Sequence, residues 1–379
     1  MTLFARRPAL RWFVPLVLAL LLASGGTAIG VLTAAARGGL PPRTAAQLLV
    51  DVQNARVTGL SGTVVQTADL GLPSIPGAGP GGSGSSDLTS LVSGSHTLRL
   101  WYAGPNRVRL ALQGSLGESD VVRNGTNLWI WSSADKTASH YKAPLMTPGT
   151  QAAPDATTGA LPMTPQQAAE QALKAISPTT KVTTDGTATV AGRSAYELVL
   201  GPNDKSTLVD SVHIAIDGKT HVPLRVQVFA KASGKPAFEV GFTSFDPSTP
   251  GASVFGFNPP PRTKVTESGT DVTKSHPGHA SAPSGTAGKA PDAAGTKPTV
   301  VGSGWTSVAV TKLPSGALGQ KSTLSQLVDK LPKVSGAWGS GHLLQGTLFS
   351  VVLTDDGRLA IGAVAPDALY RALYARYGL

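Results

Sequence analysis

The feature that most constrains this chain is an alternation of apolar and polar residues with a period of two, which recurs in eleven short segments. Side chains of a β-strand point alternately to opposite faces, so this pattern predicts strands that bury one face. We expect strands at residues 60–70, 95–103, 107–113, 118–123, 126–132, 138–142, 181–191, 194–200, 209–216, 221–230 and 236–245. Turn signals such as Asn124-Gly125 separate them, so neighbouring strands are expected to be antiparallel.

Two helices are predicted to accompany the sheet. Thr44 and Gln47 have the spacing of a capping box, and apolar residues follow at helical intervals. A second helix is predicted over residues 164–177, with Thr164 as its N-cap. Because eleven strands are too many for a flat open sheet, the sheet must curl. The sequence therefore predicts a mainly β (α+β) fold, an incomplete antiparallel barrel with a helical lid.

The apolar positions of these strands form a candidate binding face. Two helices are too few to fill a curled sheet of this size, which favours an apolar cavity on its concave side. An ordinary filled core is the alternative, and composition does not choose between them. The candidate ligand-binding residues are Leu98, Leu100, Tyr102, Val108, Leu110, Leu112, Tyr196, Leu198, Val212, Ile214, Leu224, Val226, Val228, Phe238, Val240 and Phe242.

The N-terminal residues predict a membrane segment. Residues 1–12 contain three arginines and read as a cytoplasmic flank, and the uncharged residues 13–36 are long enough to span a bilayer as a signal-anchor. The small residues that end this run also permit cleavage as a signal peptide. In both cases the rest of the chain is expected outside the cytoplasm, either as the extracytoplasmic part of a single-pass membrane protein or secreted.

Composition divides the remaining chain into domains. Residues 42–264 contain the predicted strands, interrupted by a Gly/Pro/Ser-rich flexible insertion at 71–90. Residues 265–299 have the composition of a disordered linker. Residues 300–379 predict a small α+β domain with a strand near 308–310, a short helix at 323–331, a hairpin over 348–364 and a final helix from Pro366.

Most kinds of chemistry are excluded or unsupported by the sequence. The absence of cysteine excludes disulfides, thiolate metal sites and cysteine nucleophiles. No G-x-S-x-G motif is present, and the close pair His276 and His279 falls in the linker. The net charge of +10 is spread without runs, which argues against nucleic-acid binding. We therefore expect no catalytic residues, metal or cofactor; an enzyme with an unrecognised site stays as a third alternative.

Three tryptophans, Trp101, Trp129 and Trp131, fall on the polar side of the predicted sheet. Exposed, they would dock a membrane or a partner. The other interpretation places them under a loop or under the second domain.

Six segments within residues 42–264 match the pattern and order of a known family. They are Ser61-Gly62-Thr63-Val64-Val65, Arg107-Val108-Arg109-Leu110, Asp120-Val121-Val122-Arg123-Asn124-Gly125-Thr126-Asn127-Leu128-Trp129, Ala191-Gly192-Arg193-Ser194-Ala195-Tyr196-Glu197-Leu198, Ile216-Asp217-Gly218-Lys219-Thr220-His221-Val222-Pro223-Leu224-Arg225 and Phe255-Gly256-Phe257-Asn258-Pro259-Pro260. They resemble the lipoprotein-carrier superfamily of LolA, which includes the RseB/MucB regulators and LppX-type lipid binders. The resemblance implies an eleven-stranded incomplete barrel, a helical lid and a cavity for acyl chains. The insertion, the predicted span and the C-terminal extension depart from a minimal carrier.

The function expected from this resemblance is that of an extracytoplasmic lipid or lipoprotein carrier without enzymatic activity. Its partners would be acyl chains and the cytoplasmic membrane. The alternative is an RseB/MucB-like envelope sensor that regulates a membrane-bound anti-sigma factor by protein contact.

Overall fold

The structure is a computed structural model that describes residues 40–55, 57–72, 91, 93–115, 117–146, 179–231, 233–268, 298–313 and 328–377. Several predicted features therefore lie outside the described residues: the cytoplasmic flank and span (1–36), nearly all of the insertion, the helix at 164–177, most of the linker and most of the helix at 323–331.

A twelve-stranded sheet dominates the molecule, and it is not closed into a barrel. Its strands are β1 (Leu60–Ala68), β2 (Gly94–Tyr102), β3 (Arg107–Gly114), β4 (Gly117–Asn124), β5 (Asn127–Ser132), β6 (Thr137–Lys142), β7 (Thr180–Val190), β8 (Arg193–Pro202), β9 (Val209–Asp217), β10 (Pro223–Ala230), β11 (Pro236–Asp246) and β12 (Lys264–Ser268). They lie in the order β12-β6-β5-β4-β3-β2-β1-β11-β10-β9-β8-β7. The eleven predicted strands and their antiparallel pairing are confirmed.

The twelfth strand corrects the prediction of eleven. β12 pairs in parallel with β6, with Lys264 opposite Thr137. The composition of residues 265–268 predicts linker because they lack large alternating apolar side chains. Their strand conformation depends on an edge more than a hundred residues earlier in the chain, which local patterning does not reveal.

The helix α1 (Ala45–Asn54) begins as its capping box predicts. The Gln47 backbone N–H donates to Thr44 Oγ1 at 3.2 Å, and the Thr44 N–H donates to Gln47 Oε1 at 2.9 Å. Leu48 and Val52 are buried against the sheet. An isolated helix of ten residues is marginal in water, so this packing is what holds α1 in place.

A second sheet of six strands follows. It contains β13 (Thr299–Val301), β14 (Val308–Lys312), β15 (Lys333–Gly336), β16 (Gly339–Gln345), β17 (Ser350–Thr354) and β18 (Arg358–Gly362), in the order β13-β14-β18-β17-β16-β15. The helix α2 (Pro366–Tyr377) packs on one face, where Val308, Val352, Leu369 and Leu373 are buried together. The predicted hairpin and final helix are confirmed; β13, β15 and β16 were not predicted.

The opposite face of the second sheet packs on the first. Trp305, Leu348, Phe349 and Ile361 belong to the same buried apolar cluster as the strands of the large sheet. The second sheet is thus a middle layer between α2 and one end of the twelve-stranded sheet.

Candidate functional site

The sixteen predicted ligand-binding residues lie on one face of the large sheet, which we call the apolar face. Leu98 pairs with Leu112 on one side and with Val64 on the other, and Val64 pairs with Phe242. The face continues through the pairs Val240–Val226, Val226–Ile214 and Ile214–Leu198. Because paired residues of neighbouring strands point the same way, these side chains are brought together.

Fourteen of the sixteen are buried, and Tyr102 and Val108 are half-buried at the rim of the same cluster. Leu112, Leu198, Val212, Ile214, Leu224 and Val240 are fully inaccessible to solvent. Their inward orientation follows from the period-two pattern. Their binding of acyl chains stays a prediction.

Two elements cover the apolar face in the described part of the chain. Leu48 and Val52 of α1 pack on it at one end. Trp305, Leu348 and Phe349 of the second sheet pack on it at the other. The apolar face is therefore enclosed by parts of the chain that are remote in sequence from its strands.

A cavity of about 470 Å³ lies against the opposite face of the sheet. Val65, Gly241 and Arg225 share a cross-strand row on that face, and the turn Ala191-Gly192 lines the same cavity. Of the sixteen predicted residues, Phe242 alone lines it. This cavity is therefore distinct from the one that the sequence predicts on the apolar face.

A polar network runs across β8 to β11 beside this cavity. The Glu197 carboxylate accepts from Arg225 Nη2 at 3.3 Å and lies 3.4 Å from His213 Nδ1. Gln227 Nε2 donates to Glu239 Oε2 at 2.7 Å. The alternation of polar and apolar residues does not reveal these pairs, because it does not give the order of the strands.

The same network contains a serine beside the histidine. Ser211 Oγ lies 3.3 Å from His213 Nε2, so serine, histidine and Glu197 have the order of a hydrolase triad. Both distances are at the long end for an activated serine, and Glu197 is shared with Arg225. Ser211 lies within β9, where Phe229 of β10 pairs with it, and it does not line the cavity. We assign these side chains a cross-strand structural role.

Two of the three tryptophans, Trp129 and Trp131, lie against the segment that follows β11, and Trp101 lies against arginine side chains. Phe257 contacts Trp129 and Trp131, with ring centroids 5.3 and 6.2 Å apart, and His140 stacks on Trp129 at 4.1 Å. The guanidinium of Arg109 lies 5.5 Å from the Trp101 ring centroid. For Trp129 and Trp131, these contacts favour the interpretation that they lie under a loop over the interpretation that they dock a membrane or a partner.

A partly buried ion pair lies beside these rings. Arg109 Nη2 donates to Asp120 Oδ2 at 2.5 Å, and Arg109 Nη1 donates to the Val254 carbonyl at 3.4 Å. Burial, together with the neighbouring carboxylate of Glu118, raises the pKa of Asp120 to about 7, although Arg109 acts in the opposite direction. Local sequence patterns do not reveal this pair, because Arg109 and Asp120 lie diagonally across β3 and β4 and meet only through the register of the two strands.

Hydrogen bonds join the two sheets. Trp305 Nε1 donates to Thr180 Oγ1 at 2.7 Å, and the Leu208 N–H donates to the Ala363 carbonyl at 2.7 Å. The Thr347 N–H donates to the Leu70 carbonyl at 2.8 Å. The small C-terminal domain is thus fixed to one end of the large sheet by both polar and apolar contacts.

Within the described ranges, no three histidines and acidic residues lie close enough to hold a metal ion. The pair His276 and His279 lies outside those ranges. Among the helices that the structure describes, none has the length and apolarity needed to cross a bilayer. The predicted span at 13–36 is not among them.

Comparison with known proteins gives matches to solved structures. No protein-family model and no curated protein sequence matches the chain. The MucA/MucB complex of Pseudomonas aeruginosa matches at 16% identity over 87% of this chain and 96% of the other, with a TM-score of 0.40. An uncharacterized conserved protein from Thermus thermophilus matches at 12% identity over 59% of this chain and 99% of the other, with a TM-score of 0.33.

A LolA superfamily protein from Nitrosomonas europaea matches at 9% identity over 57% of this chain and 99% of the other, with a TM-score of 0.20. These similarities describe the fold and carry no statement about binding or activity. Two of these three structures are described as MucB with MucA and as a LolA superfamily protein, which are groups that the sequence resembles.

Proposed function

We propose that this protein is an extracytoplasmic, non-enzymatic binding protein for the acyl chains of a lipid or lipoprotein. The observation that supports the proposal is the apolar face, which gathers buried side chains from β1, β2, β3 and β8 to β11 into one cluster. Its cover consists of α1 and the second sheet, neither of which belongs to the large sheet itself.

The energetics of ligand entry favour α1 as the element that moves. Lifting α1 exposes Leu48 and Val52, at a cost of about 1.5–3 kcal/mol for each buried side chain. Burial of an acyl chain contributes about 0.8 kcal/mol per CH₂. A chain of about ten CH₂ groups therefore offsets the loss of both contacts.

Photo-crosslinking of the purified full chain with a diazirine-bearing palmitic acid tests the proposal. Side chains alternate between faces along β10, so we expect cross-links at Val226 and Val228 and none at Gln227. Lipid extraction from the protein isolated from membranes should also yield stoichiometric acyl species. Cross-links at Gln227 instead of its neighbours, or an absence of cross-links at saturating probe, would contradict the proposal.

A second candidate function is an envelope sensor that acts through protein contact. The observation that favours it is that Trp305, Leu348 and Phe349 pack on the same face that a ligand would occupy. A ligand entering at that end would compete with the second sheet. Palmitic acid should then increase amide hydrogen exchange in residues 328–377, whereas binding without such an increase favours the carrier.

An enzyme is the third candidate, and Ser211 is the residue on which to test it. An esterase screen with p-nitrophenyl acyl esters, repeated with Ser211→Ala, gives a clear outcome. Turnover that disappears with the substitution would replace the binding proposal by a hydrolase.

A further inference from the structure

The residues that follow the predicted span are fastened to one end of the large sheet. The side chain of Leu40 lies directly over Gly218, where an added Cβ would come within 2.3 Å of Leu40 Cδ2. Tyr196 donates a 2.7 Å hydrogen bond from its hydroxyl to the Pro41 carbonyl. The chain therefore leaves the sheet at the turn between β9 and β10.

This attachment sets the distance between the sheet and a bilayer. Residues 37–39 separate the predicted span, which ends at Ala36, from Leu40. Four Cα-to-Cα steps reach at most about 14 Å. The headgroup layer on each side of the hydrocarbon core is roughly 5–8 Å thick. The turn after β9 therefore lies at or just above the headgroups when residues 13–36 span the membrane.

Antiparallel pairing identifies the other segments at this end of the sheet, which we call the tether end. Asn124 pairs with both Arg107 and Asn127, and Asn127 pairs with Lys142, so these strand termini adjoin one another. Leu60, at the start of β1, pairs with Tyr102 at the end of β2. The opposite end carries the turns at residues 203–208 and 231–235 and the second sheet.

The tether end has the side chains that suit an anionic lipid surface. Arg107, Lys142 and Lys219 are exposed there. Leu145 follows Lys142 and is 62% exposed, and Val50 on α1 is 53% exposed. Lysines near an anionic surface contribute about 1 kcal/mol each, and exposed apolar side chains insert into the interface.

Charge alone does not choose between the two ends, because Lys205 and Lys235 are exposed at the opposite end. The length of the strands between the two ends does distinguish them. β9 has nine residues, so at about 3.3 Å per residue the far end stands roughly 30 Å higher. That is several Debye lengths at physiological salt, where the surface potential has decayed.

We propose that the tether end of the sheet rests on the anionic outer surface of the cytoplasmic membrane, with Lys219, Lys142 and Leu145 in contact with lipid. The second sheet then faces away from the membrane. This orientation is independent of whether the apolar face binds acyl chains.

The absence of cysteine in the chain allows a direct test with single-cysteine variants of the full chain in vesicles of phosphatidylcholine and phosphatidylglycerol. Lys219→Cys and Leu145→Cys carry a fluorophore at the tether end, and Lys205→Cys and Lys235→Cys are matched controls at the other end. Nitroxide-labelled lipid headgroups should quench the first pair and leave the second pair unquenched.

Equal quenching of both pairs, stronger quenching of the controls, or no quenching at Lys219→Cys would overturn the proposal. Recovery of the chain free of the vesicles would also overturn it, since the tether would then not hold. Charge reversal at Lys142 and Lys219 should reduce quenching at Leu145→Cys, whereas reversal at Lys205 and Lys235 should not.

Discussion

Trp305 and Thr180 are joined by a buried hydrogen bond of 2.7 Å that crosses from the second sheet to the first. Each residue is 4% exposed. Thr180→Val keeps the shape of the side chain but removes the acceptor for the indole N–H. We expect the free energy of unfolding to fall by about 1–3 kcal/mol, measured by urea denaturation of the full chain.

Trp305→Phe supplies the control for this hydrogen bond. In the Trp305→Phe variant, which lacks the indole N–H, Thr180→Val should lower the free energy of unfolding by less than it does in the wild-type protein. If the two substitutions together lower the free energy of unfolding by the sum of their separate effects, the hydrogen bond contributes little to the contact between the two sheets.

Asp120 should make stability depend on pH. Its pKa of about 7 lies above its ordinary value of 3.8, chiefly because the carboxyl is buried. The folded state therefore holds this proton more tightly than the unfolded state, and the contribution is present below about pH 4 and is lost as pH rises through 7. Asp120→Asn should flatten the change in urea midpoint between pH 5 and pH 8. Asp135→Asn, in an exposed turn, should retain the wild-type slope.

Gly62 is required by close packing in β1. A Cβ at this position would meet the Ser244 carbonyl at 2.3 Å and the Phe242 ring at 2.8 Å. Gly62→Ala should destabilise the protein by about 1–3 kcal/mol. Gly201→Ala in β8 is the matched control, because nothing lies within 4 Å of its added Cβ. A similar loss for both variants would refute the packing explanation; thermal melting distinguishes them.

Arg193 and Asp217 form a bidentate pair at the tether end, with nitrogen-to-oxygen distances of 2.6 and 2.8 Å. Burial acts to raise the pKa of Asp217, but hydrogen bonds from Arg193 and Thr220 outweigh it and hold the pKa below the ordinary value. This contribution is present above the ordinary pKa and is lost as pH falls through the folded value.

Arg193→Lys keeps the positive charge but cannot form both hydrogen bonds to the Asp217 carboxylate. Because the folded state then stabilises that carboxylate less, we expect acid unfolding to begin at higher pH. Circular dichroism during acid titration measures the midpoint. Arg107→Lys, at an exposed position, should leave it unchanged. An unchanged midpoint for Arg193→Lys would mean that the second hydrogen bond is dispensable.

Local patterns in the sequence predicted the elements that depend on local physics. Thr44 and Gln47 gave the start of α1, and alternation gave the first eleven strands. The bulge in β7 also has a local cause, because the pairing with β8 shifts between Thr184 and Thr187, where Gly186 has a φ of 68°. In each case the residues that determine the element lie within a single short segment of the chain.

Pairings between segments that are distant in the chain could not be predicted from local sequence patterns. β12 was missed because its partner β6 supplies the hydrogen bonds, and β16 was missed because its glycines carry no apolar pattern. The candidate residues were placed on the correct face, since alternation fixes orientation. The position of the cavity depends on how β7 and β8 approach β11, and the networks of Glu197 and Asp120 depend on strand register.

The middle position of the second sheet has a thermodynamic consequence. One of its faces supports α2 and the other completes the cluster that contains Leu348 and Phe349. Unfolding of either sheet would expose buried apolar side chains of the other to water. Heating should therefore give a single cooperative transition in calorimetry, with no plateau between an early and a late step.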